Sequence, residues 1–211
     1  MRQLLLGLML LLSTFHVYSA PPAKTSSNFV EGKHYEVISY TAKSKKPEVT
    51  EYFSFLCGHC YNFEKNYIPA LKQALNQKKI AFSQSHVEFG GSEGAQLSRA
   101  YAIAYQLQVE EKIKPALFQE VQDKKNMNSL NTPDGIKKFF LNNGVKEKDY
   151  DAKATSFDVN TKVSKMRFSA ETSRIKGVPA FVVNQKYLVK NENVKSYDEL
   201  TQLILYLAQK K

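Results

Sequence analysis

Two cysteines three positions apart stand in a chain of 211 residues that has no others. This pair, Cys57-Gly58-His59-Cys60, constrains the chain more than any other feature. A cross-link between residues i and i+3 closes too short a loop to restrict the unfolded chain much. A chain of this length also needs no staple to bury a core. The pair therefore calls for a chemical explanation, and its flanks say where that chemistry sits. Residues 49–55 are rich in β-branched and aromatic side chains and read as a buried strand. After Cys60, Phe63, Tyr67, Ala70, Leu71 and Ala74 recur at helical spacing. A strand ending at Leu56 and a helix beginning near Cys57 place the first sulfur at a helix N-terminus. The second lies one turn on, on the same face.

A helix N-terminus stabilises negative charge, so Cys57 is expected to favour its thiolate. His59 adds to this when its ring is protonated or donates to the sulfur. A stabilised thiolate is a good leaving group, which makes the oxidised pair an oxidant. Cys57, at the exposed turn, is the sulfur that a substrate thiolate attacks to form a mixed disulfide. Cys60, inside the helix, is released by that attack and resolves the mixed disulfide in reverse. A Cys-x-x-Cys pair has other uses. A structural disulfide is one. A zinc site needs two further ligands, and beyond residue 19 the histidines are only His34, His59 and His86, with no second Cys-x-x-Cys. Haem attachment needs histidine after the second cysteine, where Tyr61 stands.

The N-terminus reads as an export signal. Arg2 precedes an apolar run over 4–12, and small residues near 17–20 suit cleavage after Ser19, with Val17 at −3. The run is short for a membrane span, although an uncleaved anchor is the alternative. No later segment approaches about 18 consecutive apolar residues, so a soluble mature chain is expected. Hydrophobic content of 43% and charged content of 24% suit a globular protein. The formal charge of +10 would suit an acidic partner or nucleic acid. However, lysines such as Lys43, Lys78, Lys124, Lys137 and Lys210 are scattered, and no nucleic-acid motif accompanies them. A solvated basic surface is the better reading.

Along the chain, residues 20–32 read as a loose lead-in, 34–40 as a strand and 41–47 as a polar loop. The helix after Cys60 is expected to kink at Pro69. Residues 80–89 return to strand, an order that suits a crossover between parallel strands. Residues 92–175 then read as helices: 95–107, 109–122, one opening at Thr132-Pro133 and closing at Gly144, 146–154 and 160–175. After Gly177-Val178-Pro179 come strands over 180–184 and 186–190. Ser196 and Glu199 form a capping box that opens a last amphipathic helix. The class is α/β, with a helical block between the third strand and the last elements.

The segments 51–64, 86–91 and Gly177-Val178-Pro179-Ala180 resemble the periplasmic DsbA proteins, thioredoxin-fold oxidases of Gram-negative bacteria. The likeness runs over essentially the whole chain after the signal. It implies a thioredoxin fold with an inserted helical domain: a signal peptide over 1–19, a discontinuous thioredoxin-like domain over 20–91 and 176–211, and the insertion over 92–175. It implies that Cys57 is the nucleophile, Cys60 its partner and His59 the main tuning residue. Pro179 matches a proline whose bond to Val178 is cis and faces the disulfide. Val178 would then offer its backbone to an extended substrate peptide. The implied protein is a periplasmic disulfide oxidoreductase with no cofactor or metal beyond the Cys57–Cys60 disulfide. It would act as a monomer on unfolded or reduced exported proteins, and a quinone-linked membrane oxidase of the DsbB type would reoxidise it.

Two positions depart from the family pattern. Gly58 stands where these proteins commonly have proline, which gives the Cys-Gly-His-Cys of protein disulfide isomerases. An isomerase or reductase kept reduced by an electron-donating membrane partner is therefore the second reading. The lead-in 20–32 leaves no room for the dimerisation domain usual in dedicated periplasmic isomerases. A redox-inert chaperone is a third reading and leaves the cysteine pair unexplained. Glu51 matches a buried acid that often pairs with a lysine beneath the disulfide, and Gln84 occupies the aligned lysine position. A buried carboxylate without a cation has a raised pKa. Glu51 is thus expected to be neutral part of the time and to exchange a proton with Cys60. Glu64, four residues beyond Cys60, either shares that role or is a solvated helix charge.

Overall fold

The computed structural model describes residues 29–39, 44 and 46–210. The expected signal peptide lies outside the described residues, as do Tyr40 and most of the expected loop 41–47. Among the described residues, five strands form one sheet in the order β1-β5-β4-β2-β3. They are β1 (Tyr35–Val37), β2 (Glu48–Phe53), β3 (Ala81–His86), β4 (Ala180–Val183) and β5 (Tyr187–Val189). The crossover expected between parallel strands is present: β2 and β3 run parallel, with Glu51 opposite Gln84. On its other edge β2 runs antiparallel to β4, with Glu51 opposite Phe181.

Alternation along β2 sends Val49, Glu51 and Phe53 to one face and Tyr52 to the other. Val49, Phe181 and Val183 join a core with Leu71, Leu75, Leu200, Leu203 and Leu207. These leucines come from α2 (Ile68–Gln77) and the last helix, α8 (Tyr197–Gln209). Tyr52 faces the opposite way, with its hydroxyl 2.6 Å from Ser169 Oγ and 2.8 Å from Ser173 Oγ. The helix that follows the cysteines, α1 (Gly58–Asn66), stops before Pro69 and does not merely bend. Tyr67 leaves helical geometry at φ −122°, and α2 starts again with Pro69 in its first turn, where a missing N–H costs nothing.

Between β3 and β4 lie α3 (Gly91–Gln106), α4 (Glu110–Phe118), α5 (Pro133–Asn142), α6 (Glu147–Ala154) and α7 (Phe157–Thr172). One turn of π-helix, Gln119–Asp123, extends α4. Thr132 caps α5 as expected, accepting from Gly135 N. Helix α7 begins earlier than its apolar pattern suggested, because Ser156 Oγ accepts from Val159 N. Ser196 caps α8, but the Glu199 carboxylate accepts from Lys195 N, one residue before the cap. The helical residues Leu97, Ile113, Leu117, Phe118 and Phe140 share one core with Phe53, Phe55 and Cys60. Each such side chain contributes about 1.5–3 kcal/mol when fully buried. The helices are thus packed directly against the end of β2, where the cysteines begin.

Candidate functional site

Strand β2 ends at Phe53, and the next four residues turn the chain into α1. Backbone groups of this turn are held by specific partners. Cys57 N donates to Ser54 O at 3.1 Å, and Leu56 N to Ser54 Oγ at 3.2 Å. Phe55 N donates to His86 Nε2 at 3.1 Å, and Phe55 O accepts from Gln122 Nε2 at 2.6 Å. Since His86 Nε2 accepts, its proton sits on Nδ1, 2.7 Å from Ser98 Oγ. Burial lowers the His86 pKa to about 3, which keeps the ring neutral for this role. Gly90 takes the left-handed φ of 90°, and a side chain there would strike Leu56. The turn is therefore fixed from β3, from the start of α3 and from the π-helical turn.

Cys57 is the N-cap of α1, and its Sγ accepts from Cys60 N at 3.2 Å. Both cysteines are free thiols, Cys57 partly exposed and Cys60 buried. The Cys57 thiol is pulled down to about 6, first by the Cys60 side chain and then by backbone N–H groups of Cys60 and His59, with the His59 charge adding last. Partial burial opposes this. Cys60 moves the other way: its hydrogen bond to Cys57 and its burial raise its pKa far above the ordinary thiol value. The structure thus places Cys57 at the helix N-terminus and Cys60 buried one turn on. Gly58 and His59 are exposed at the first turn.

The Val178–Pro179 bond is cis. Val178 O accepts from Cys57 Sγ at 3.4 Å, so this loop lies against the sulfur that caps α1. Asn191 Nδ2 donates to Pro179 O at 2.8 Å and ties the loop to the segment after β5. Beside it opens a groove of about 810 Å³ whose walls include His59, Phe63, Val178, Pro179, Leu188 and Asn191.

Beneath the cysteines, Glu51 is 1% exposed, and burial raises its pKa to about 8. Gln84 Nε2 donates to Glu51 Oε2 at 2.6 Å and to Glu64 Oε2 at 3.1 Å. The cation expected to be missing comes from α4: Lys114 Nζ lies 2.8 Å from Glu64 Oε1 and donates to Gln84 Oε1. Glu64 is therefore no solvated helix charge. Lys114, His86, Ser98 and Gln122 are the site-supporting residues that sequence reasoning missed. Lys114 had a signal, since it falls on the apolar stripe of α4 with Ile113, Leu117 and Phe118. Among the described residues no three His, Cys, Asp or Glu side chains cluster to hold a metal. No helix among them is long and apolar enough to cross a membrane.

A reactive thiolate with a buried second sulfur one helical turn away is the chemistry of a thiol–disulfide oxidoreductase, and the sheet and helices that present it form a thioredoxin-like fold. The family described as DSBA-like thioredoxin domain matches residues 48–202. The chain belongs to the DsbA family. It is 40% identical to the thiol:disulfide interchange protein DsbA of Yersinia pestis over 172 residues, 81% of each chain. It is 39% identical to that of Haemophilus influenzae over 175 residues, 82% of each. A solved structure of Proteus mirabilis DsbA with a non-covalently bound peptide superposes with a TM-score of 0.75 at 34% identity. That match covers 87% of this chain and all of that one. Pseudomonas aeruginosa DsbA matches with a TM-score of 0.75 at 25% identity, covering 87% and 95%.

Proposed function

We propose that this disulfide oxidoreductase works as an oxidant, passing its Cys57–Cys60 disulfide to reduced exported proteins in the periplasm. The observation that carries this is the opposite displacement of the two thiols: Cys57 down to about 6, Cys60 upward. A substrate thiolate attacks Cys57 Sγ, the Cys57–Cys60 bond breaks, and Cys60 leaves with the electron pair. A second substrate thiolate then attacks the substrate sulfur and releases Cys57 as a stabilised thiolate. That release favours the reduced enzyme and the oxidised client. Glu51, protonated near neutral pH, supplies the proton that the buried Cys60 sulfur needs, and takes it back when the enzyme is reoxidised. Val178 O and the groove beside Pro179 suit an extended peptide laid along the loop. A peptide is bound in the Proteus mirabilis relative, which supports this placement. The residue 1–19 pattern supports export, and a quinone-linked membrane oxidase of the DsbB type is the proposed electron acceptor.

Gly58 favours a second reading, isomerase or reductase, because it completes the Cys-Gly-His-Cys sequence. Equilibration of the protein in glutathione buffers decides between the two, together with its redox state in cells. The oxidase reading requires an oxidising couple and a protein held mainly as disulfide. A strongly reducing couple found mostly as dithiol would overturn it.

A further inference from the structure

We propose that Lys114, on helix α4, is a positioning residue for the resolving step: its ion pair with Glu64 and its hydrogen bond to Gln84 set up Glu51 to take the Cys60 proton. This rests on the reading of Glu51 as the proton carrier. The Lys114 side chain is 2% exposed. Burying an ammonium group costs several kcal/mol unless it is paired and hydrogen-bonded. Here one partner is the Glu64 carboxylate and the other is the Gln84 amide oxygen. Lys114 thereby fixes which way Gln84 points. With its oxygen held by the ammonium, its NH₂ must face the acids, and it donates to both Glu51 and Glu64.

The cluster then holds two carboxyl groups and one cation. Glu64 contacts the cation directly, and Glu51 reaches it only through Gln84. Glu51 is therefore the member that carries a proton. The charged groups acting on Glu51 are Glu64, which raises its pKa, and Lys114 and Lys72, which lower it. Cys60, Tyr67 and Tyr101 feel the Glu51 charge in turn. When reduced enzyme is caught as a Cys57–glutathione mixed disulfide, the Cys60 S–H proton passes to the Glu51 carboxylate. The Cys60 sulfur bonds Cys57 Sγ, and glutathione leaves as thiolate with the electron pair of the broken bond.

The test follows the resolving phase after rapid mixing of reduced protein with oxidised glutathione, across pH 5 to 10. The wild-type rate is expected to rise with a midpoint near the Glu51 pKa of about 8. Lys114→Met removes a cation and is expected to move that midpoint up by about one pH unit, slowing resolution at pH 7 about tenfold. Glu64→Gln leaves Glu51 as the natural counter-ion of Lys114 and is expected to move the midpoint down by about as much. This second variant keeps a buried pair and reports even if Lys114→Met fails to fold. The Cys57 alkylation midpoint stays put in both, which a general loosening of the site would not allow. Unmoved midpoints in the variants that fold, with Glu51→Gln abolishing the pH step, would overturn the role of Lys114 alone. An unchanged profile in Glu51→Gln would overturn the proton-carrier reading and this inference with it.

Discussion

Glu51→Gln is expected to make the protein more stable, by an amount that depends on pH in a calculable way. The Glu51 carboxyl has its pKa raised from 4.5 to about 8, with burial the largest cause. Below pH 4.5 the folded and unfolded chains both hold this proton, and the substitution changes little. From pH 4.5 to 8 the unfolded chain releases the proton while the folded one retains it. Stability therefore falls as pH rises, by about 1.4 kcal/mol per pH unit. By pH 7 the accumulated loss is about 3 kcal/mol, a large part of an ordinary folding free energy. Above pH 8 the folded state ionises as well and the loss levels off. Glutamine has the length of glutamate and keeps an oxygen to accept the Gln84 bond, so it removes the titration without opening a cavity. Urea unfolding of both proteins at pH 4.5, 6, 7 and 8 measures the difference. A stabilisation that stays constant across these pH values would refute the reasoning, because it would mean that Glu51 does not titrate in this window.

Three further outcomes are expected. Iodoacetamide should alkylate Cys57 of the reduced protein with a midpoint near pH 6, while Cys60 stays unreactive, and mass spectrometry of the modified peptide checks both. His59→Ser removes a charge that favours the Cys57 thiolate, so the couple should become more reducing in glutathione buffers; an unchanged potential would exclude His59 as a tuning residue. His86→Leu strands Phe55 N–H and the Ser98 hydroxyl in the interior and should cost roughly 2–4 kcal/mol at pH 7 by urea unfolding. That gap should narrow below pH 6.5, where the unfolded wild-type chain gains a proton on His86 that the folded chain, with a pKa of about 3, refuses.

What was legible in the sequence follows from which signals are local. The strand-to-helix junction at Cys57, the Thr132 cap and the order of strands all depend on residues close in the chain. Such local signals place these features to within a few residues. The early start of helix α7 is not visible in its apolar pattern, because Phe157 is 82% exposed and Phe168 is 68% exposed, so neither marks a buried face. The cap at Ser156 was the better guide. The acid beneath the cysteines was legible through the resemblance, which matches Glu51 to a buried acid of the family. Its environment was not, because Lys114 reaches it from a helix 63 residues away in sequence. A lysine on an apolar stripe says that it needs a buried partner; only the packing of α4 on β2 and β3 says which one.

The same stretch of chain explains why Cys57 and Glu51 shift in opposite directions. Strand β2 carries Glu51 inward to a place where no cation among the described residues contacts it directly, and the turn after Phe53 then lifts Cys57 to the start of a helix. At pH 7 the negative charge therefore resides on the exposed sulfur and the proton on the buried acid. Cys60 interacts with both: its side chain bonds to Cys57, and the Glu51 charge raises its pKa further. An ionised Glu51 would repel the thiolate that Cys60 becomes when its disulfide is attacked, whereas a protonated Glu51 can neutralise it. Packing alone does not require a carboxyl at this position, since an apolar residue would avoid a loss of about 3 kcal/mol at pH 7. The site accepts that instability, and the surrounding apolar core offsets it. On the proposed reading, what it gains is a proton held where the leaving sulfur needs one and where bulk water does not reach.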